Sequence, residues 1–455
     1  MRAPLLLPLF ALLPLLIGAC SKDAPARPNI LVITLDTTRA DHLGCYGYRR
    51  ATTPRIDALA RESMVYERMT SVTCWTLPSH ASLFTGKYPT SHGARYDKDG
   101  TFDLSKAIGA AFEGFKARGI DARERTLATI LSEAGYATGA AVAGPWLLKV
   151  FGLGQGFASY DDSGIDHING RRADSITDAG LAFVDGATGD DDQPFFLFLN
   201  YFDPHYPYVP PGEQFARKFA PGPLTRENVE KPEFQVALYD GEIAYMDQEI
   251  GRLLDGLKQR GVYDDTWIIV TADHGELLWD KDGLTGHGHQ LSEAEIHIPL
   301  IVKEPRADSP GKTGREKSRV TLVDILPTIL ERLGLPNPAG IQGEPLGEVR
   351  HPIVAEFHPL PPWNDSGDWG AIYHGDLKYV FNSQGKGYLA DVSTDPHEGQ
   401  NLAAKRSDDA TRLDDLLKKY MASLPRPGKA GPAKELDDET LRALRGLGYV
   451  DAEDR

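Results

Sequence analysis

Residues 29–36 read Asn29-Ile30-Leu31-Val32-Ile33-Thr34-Leu35-Asp36, a nearly unbroken β-branched and apolar run that ends on a carboxylate. A strand with one wet face alternates apolar and polar residues. A run without that alternation is predicted to be buried on both faces, as in a parallel sheet covered by helices. Runs of the same kind occur at 138–143 (TGAAVA), 195–199 (FFLFL), 267–271 (WIIVT) and 298–302 (IPLIV). Helical spacing fills intervals at 54–63, 81–85, 125–135 and 236–260. Strands alternating with helices predict an α/β fold, a mostly parallel sheet flanked by helices. Ligands bind such sheets beyond the carboxyl ends of the strands, so polar residues directly after the runs are the first candidates for function.

The chain has 455 residues, 41% apolar and 25% charged, a globular composition with length enough for a large core. Its 49 basic against 65 acidic residues leave a net charge of −16. That balance argues against nucleic acid as a partner, because phosphate binding needs an excess of Lys and Arg. Three cysteines (Cys20, Cys45 and Cys74), with no CxxC, exclude a disulfide framework and a zinc knuckle. Leu5 to Ile17 is apolar but shorter than a membrane span; it follows Arg2 and runs into Gly18-Ala19-Cys20. Residues 1–19 therefore read as a signal peptide. The small residues before Cys20 resemble a bacterial lipobox, with Cys20 the lipidation site and Ser21 favouring outer-membrane delivery. Residues 20–28 are then a lipidated tether. The expected location is the bacterial cell envelope, in the periplasm or at the outer membrane, with the lipid as the only membrane contact.

The body divides into a large domain over 29–350 and a small unit over 351–423. In the small unit, strand-like pieces at 352–357, 371–374 and 377–381 precede a helix near 408–422. Residues 424–455 form a Pro/Gly/Lys linker and a terminal helix at 437–445. Residues 98–124 read as a surface insertion, Asp190-Asp191-Asp192 as a solvated turn, and His92 and His351 as loop histidines.

Four segments carry chemistry. Asp36, directly after a buried strand, has the place of a hard-cation ligand or of a helix cap. The stretch Cys74-Trp75-Thr76-Leu77-Pro78-Ser79-His80 leads from a loop into a helix. It puts a hydroxyl near a helix N-terminus, where free N–H groups and the dipole favour an anion; Ser79 reads equally well as the cap. Asp273-His274 presents a carboxylate and an imidazole to one metal, with Glu276 either a supporting acid or a first-turn residue. His287-Gly288-His289 follows in a loop, where one imidazole is placed to contact a ligand. Asp203-Pro204-His205-Tyr206-Pro207 follows the 195–199 run, and His205, stiffened by the prolines, is placed to give a proton to a leaving group.

The stretches NILVITLDTTRADHLGCYGY, TLPSHASLFTGKYPTSHG, YDGEIAYMDQEIGRLL, IIVTADHGE, HIPLIVKEP and YLADVSTDPHEGQNLA, taken in order, resemble the sulfatase family of the alkaline phosphatase superfamily over about residues 28–405. The resemblance implies an alkaline-phosphatase-like, mostly parallel sheet flanked by helices, with a small C-terminal antiparallel α+β subdomain. It implies metal-dependent hydrolysis of sulfate or phosphate esters. Asp36, Asp273 and His274 are the implied ligands of one or two divalent ions, Ca²⁺ or Mg²⁺ by resemblance, with Zn²⁺ or Mn²⁺ left open by the imidazole. His205 is an implied substrate contact, and His287 or His289 another. The second aspartate of the family's usual pair falls on Thr37, which with Arg39 and Ser79 becomes a supporting residue at the edge of the site.

Sulfatases carry Cys-x-Pro-x-Arg, whose cysteine is oxidised to formylglycine. Aligned on Pro78, the five residues here are Thr76-Leu77-Pro78-Ser79-His80. Thr76 stands at the cysteine, His80 at the arginine as a further candidate catalytic residue, and Cys74 lies two residues too early. The lysine-containing stretch Gly-Lys-x-His is replaced by Val142-Ala143-Gly144-Pro145-Trp146. Thr76 is therefore expected to be a metal-activated nucleophile, as in related phosphodiesterases and phosphoethanolamine transferases, which favours phosphoesters over sulfate on mechanism. The expected partner is a small-molecule, glycan-linked or lipid-linked sulfate or phosphate ester. Two other functions stay open here, a phosphoryl-group transferase and a non-catalytic sulfatase-fold binding lipoprotein.

Overall fold

All of Ile30 to Leu35 is buried, as is all of Phe195–Tyr201 and Thr266–Thr271, so the continuous runs do form strands covered on both faces. The computed structural model describes residues 27–445 except 98, 104–115, 166–168, 190–192, 307–311, 348, 360–365, 430 and 432–434. The leader, Cys20, most of the tether, the acidic run 190–192, part of the 98–124 insertion and the terminal residues 446–455 lie outside that set.

The central sheet runs Gly314–Thr321, Met64–Thr70, the segment 297–303, Thr266–Thr271, Asn29–Leu35, Phe195–Tyr201, Ala137–Ala141 and Ser159–Asp161. Its pairings are parallel except at 297–303, which is antiparallel to both neighbours and interrupted at Pro299, a residue with no N–H for the ladder. The expected strand at 298–302 is thus the one reversed member of the sheet. Helices Pro54–Ala60, Thr76–Thr85, Leu127–Glu133, Ala173–Ala187 and Pro232–Gln259 connect the strands. Among the described residues no helix is long and apolar enough to cross a membrane.

Register positions the chemistry. Thr34 pairs with Thr271 across parallel strands, and Leu35 pairs with Tyr201 on the other side. The residues that follow, Asp36 and Asp273, therefore leave the sheet at the same edge. Met64–Thr70 ends there too, and the loop after it feeds helix Thr76–Thr85.

A four-stranded antiparallel sheet, Val354–Phe357, Trp369–His374, Leu377–Asn382 and Tyr388–Asp391, makes the small subdomain. Helix Ser407–Ser423 buries Leu413 and Leu417. The described part of the 98–124 insertion is less superficial than expected: Lys116–Arg118 pairs with Arg95–Tyr96 on one side and Phe102–Asp103 on the other, in a small sheet that buries Phe102 and Ala117.

Charged contacts tie the subdomain to the main body, among them clusters at Lys378 and His351. Lys378 is 0% exposed, with Nζ 2.8 Å from Glu398 Oε1 and 3.0 Å from Glu293 Oε1. Burial opposes its charge, but Glu398, Tyr373 and Glu293 outweigh that and raise the ammonium above its usual range. Glu398 Oε2 also accepts from Glu293 N at 2.8 Å, so the cluster crosses the domain boundary. At the first residue of the small unit, His351 Nε2 lies 2.7 Å from Asp324 Oδ1. His351 is thus a paired residue rather than a free loop histidine. Burial lowers its pKa, but Asp324 wins and the net shift is upward.

Replacing Lys378 with Met leaves two buried carboxylates without their cation, and is expected to cost about 3–5 kcal/mol in urea denaturation. His351 has a raised folded-state pKa, so its contribution is complete below the unfolded value near 6.5 and is lost as pH rises through the folded value. The stability difference between wild type and His351→Gln is therefore expected to be larger at pH 5.5 than at pH 8 by thermal unfolding; equal differences at both pH values contradict this.

Candidate active site

Asp36 is the first residue beyond its strand, and Thr37 turns the chain with φ 51°, a left-handed conformation that costs energy for a β-branched residue. That turn aims the Thr37 hydroxyl away from Asp36, where it donates to Pro204 O at 2.9 Å. Its N–H donates to Asp273 Oδ1 at 3.2 Å, and His274 N–H donates to the same oxygen at 2.8 Å. Thr37 therefore supports Asp273 through its backbone. His274 Nδ1–H donates to Gly275 O at 2.9 Å, which fixes the tautomer with a lone pair on Nε2.

Asp36, Asp273 and His274 each offer a ligand atom within 4.8 Å of the others. All three are buried, and both Asp36 oxygens and Asp273 Oδ2 have no hydrogen-bond partner. Burial and the neighbouring Asp273 push the Asp36 carboxyl well above the usual range. Burial also acts against Asp273, but His274 and His80 hold its carboxyl below the ordinary value. Two enclosed carboxyl groups with three orphaned oxygens are unfavourable unless a positive charge or a proton joins them. Three hard oxygens beside one imidazole lone pair are a donor set that fits a divalent cation.

Thr76 is the first residue of its helix, and its Oγ1 lies 3.2 Å from His274 Nε2. The hydroxyl thus meets the carboxylate–imidazole cluster at the positive end of the helix dipole. The helix starts earlier than the 81–85 pattern suggested, so Ser79 is inside it and is not the cap. Ser79 Oγ instead donates to Asp273 O at 2.7 Å, and Ser71 Oγ donates to the same carbonyl. His80 departs from its expected catalytic place. Nδ1 bonds Thr76 O at 2.9 Å, one helical turn back, and Nε2 lies 3.0 Å from Thr34 Oγ1. With both ring nitrogens engaged and the side chain fully buried, His80 stands behind Asp273, 3.8 Å from Oδ2. Cys74 is sealed in the interior, and burial and Glu295 raise its thiol well above the usual value.

Two part-exposed imidazoles stand nearer the surface. The His205 ring stacks on Phe202 at 4.3 Å and meets His287 edge-on at 5.1 Å; His287 in turn is 4.5 Å from His274. His289 turns away and donates from Nε2 to Thr285 O at 3.0 Å, so of the two candidates it is His287 that joins the site. Gly288 makes this possible: its φ is +76°, and a Cβ there would fall 2.5 Å from Trp75. Burial pushes His205 down to about 3 and His287 down to about 4, so both are neutral in the free protein.

His287 Nδ1 is 3.1 Å from Glu276 Oε2, and Tyr208 donates to Oε1 at 3.0 Å. Burial pushes the Glu276 carboxyl up to about 7. Glu276 is thus part of the site, although the sequence offered it only as a supporting or first-turn acid. Arg39 does not point inward: it pairs with Asp41 through Nε and Nη2 and with Asp280 through Nη1. Asp41 is held by both nitrogens on one edge of that guanidinium.

The Sulfatase family model matches residues 28–335. The ulvan-active sulfatase of Formosa agariphila is 25% identical over 444 residues, covering 89% of this chain and 83% of that protein. Human arylsulfatase A is 26% identical, with coverage of 96% and 90%. A protein solved with its substrate D-glucosamine-2-N,6-O-disulfate superposes with a TM-score of 0.70 at 20% identity, covering 88% of this chain and 99% of that one. The phosphonate monoester hydrolase of Agrobacterium radiobacter gives 0.63 at 22% identity, with coverage of 87% and 96%. Matched by its family model over most of its length and folded on the corresponding sheet, the chain belongs to the sulfatase family and is an ester hydrolase of the sulfatase and phosphatase type.

Proposed function

We propose that this protein is a metal-dependent hydrolase of a sulfate or phosphate ester, with Thr76 as nucleophile and a glycan-linked ester as substrate. The observation that carries the reading is the 3.2 Å approach of Thr76 Oγ1 to His274 Nε2, beside the orphaned oxygens of Asp36 and Asp273. Those three residues would hold the divalent ion, which when bound lowers the pKa of a nearby hydroxyl and polarises an ester oxygen. Thr76 Oγ1 then loses its proton to solvent water and forms a bond to the sulfur or phosphorus as the bond to the leaving oxygen breaks. The N–H groups at the start of the 76–85 helix face the negative charge of the group in transfer. His287, or His205 beside it, supplies the proton to the leaving oxygen. Both are neutral in the free protein, but an entering anionic ester favours their charged forms. Glu276 behind His287 orients that ring and stabilises the imidazolium. A water molecule finally cleaves the ester on Thr76.

Glycan sulfates are supported by the relatives, among them a sulfatase active on ulvan and a fold neighbour holding a glucosamine disulfate. The nature of the nucleophile favours a phosphoester instead: a sulfated threonine has no second hydroxyl on the same carbon, by which a formylglycine hydrate expels sulfate. The 1–19 leader followed by a lipidated Cys20 would place the enzyme in the cell envelope, where such polymers are met.

Thr76→Ala is expected to lower kcat by on the order of 10³-fold or more on whichever of an aryl sulfate, aryl phosphate or aryl phosphodiester the wild type turns over. Thr76→Ser retains a measurable fraction, and rapid quenching with peptide mass spectrometry finds the transferred group on residue 76. Full activity of the alanine variant removes Thr76 from the mechanism. Exhaustive chelation is expected to abolish turnover and lower Tm. Restoring a divalent ion at a hundredfold excess over its Kd returns about 2.7 kcal/mol of stability, and the ion that does so identifies the metal.

A further inference from the structure

The 76–85 helix carries Thr76 at one end; beyond its other end, about 15 Å along the axis, lies a cavity of about 320 Å³. Its lining includes Lys87, Arg118, Arg123 and Arg426 against the carboxylates Asp121 and Glu124, a cationic excess within a chain of net charge −16. The two carboxylates are already used: Glu124 is 2.6 Å from Lys87 Nζ, and Asp121 takes Arg123 through Nε and Nη2 at 2.9 and 2.8 Å. Among the described residues Arg426 bonds only neutral acceptors, Thr90 Oγ1 at 2.8 Å and Met421 O at 3.4 Å.

Arg118 has the least compensation. It is 5% exposed, and among the described residues its guanidinium makes no hydrogen bond and has one ion pair, with Asp97 Oδ2 at 4.0 Å. The residue opposite it on the neighbouring antiparallel strand is Arg95, and like charges facing one another across a ladder are unfavourable. Arg95 has taken its own carboxylate, Glu356, at 3.4 Å. The linker closes the wall: a Cβ on Gly93 would fall 2.8 Å from Pro427 Cγ and 3.3 Å from Arg118 Cζ, so the guanidinium is held in a fitted slot. A buried cation left this poorly paired calls for an anion. A planar guanidinium matches two oxygens of a tetrahedral oxyanion at once.

We propose that this cavity is a second anion site, in which Arg118 and Arg426 bind a sulfate or phosphate group, either as the free ion or as a charged group on a longer ligand. The site is separate from the catalytic cluster, and its test needs no turnover, so it stands or falls independently of the hydrolase reading.

The test is isothermal titration of the full chain at low ionic strength with sodium sulfate, sodium phosphate and a sulfated oligosaccharide. It is run on wild type, Arg118→Gln, Arg426→Gln and, as a catalytic-cluster control, Asp36→Asn. One saturable site is expected in Asp36→Asn, and wild type shows the same site beside any binding of the oxyanion at the catalytic cluster. It weakens at least tenfold in Arg118→Gln and several-fold in Arg426→Gln, an exposed position whose replacement leaves the core intact. Saturation by an inorganic ion assigns the free oxyanion as ligand; saturation by the oligosaccharide alone assigns a charged group on a longer chain. The proposal is overturned by an absence of saturable binding of all three probes to wild type. It is equally overturned by an isotherm that neither arginine variant changes, or by one that disappears entirely in Asp36→Asn.

Discussion

Two carboxylates leave adjacent parallel strands at the same edge of the sheet, and the rest of the site is arranged around that fact. Because Thr34 faces Thr271, Asp36 and Asp273 cannot avoid one another. Helix 76–85 and the 203–209 loop then close over them and remove the water that would otherwise screen their repulsion. Each neighbour answers part of the resulting problem. Two backbone N–H groups satisfy Asp273 Oδ1, two serine hydroxyls hold its carbonyl, and His80 stands behind its second oxygen. Three oxygens remain without partners, and they meet the lone pair of His274. A cluster of this kind is stable with a cation in it and costly without one.

Thr76 shares that centre for a local reason. The loop after Met64–Thr70 delivers the chain into a helix whose first residue is the threonine, so hydroxyl, helix N-terminus and His274 coincide. The cysteine nearest to it, Cys74, faces the interior toward Glu295, and its buried thiol is held protonated. Against the formylglycine pattern the sequence departs at Thr37, Thr76, His80 and the 142–146 stretch, while Asp36, Asp273 and His274 still meet at the edge of the sheet. The subdomain takes part at one remove: the Lys378 cluster pins Glu293, the far end of the loop that carries Glu276 and His287.

The strands that were legible in the sequence are those buried on both faces, where burial leaves no polar alternation to obscure them. Met64–Thr70 and Gly314–Thr321 escaped because they lie toward the sheet's outer edge and carry Glu67, Arg68, Arg315 and Glu316. Those charges are accommodated by pairs such as Glu67 with Arg315, which form only after the two strands, far apart in the chain, come side by side. In the site, Asp36, Asp273, His274 and Thr76 were readable from residue type and order. Glu276 was visible but ambiguous, because an acid after a strand is also a common first-turn residue. Its role follows from Tyr208 and His287 reaching it from two other segments.

By itself the sequence determined the α/β architecture and the three residues able to hold an ion, and it raised Thr76 as the candidate nucleophile. These depend on composition and order, which a chain carries before it folds. Only the tertiary structure decided that His287 and not His289 turns toward His274, that Ser79 and His80 buttress Asp273, and that Arg39 pairs outward. Those outcomes rest on side-chain direction, which is set by backbone turns such as the left-handed Thr37 and Gly288 and by partners distant in sequence. Motif spacing has no term for either.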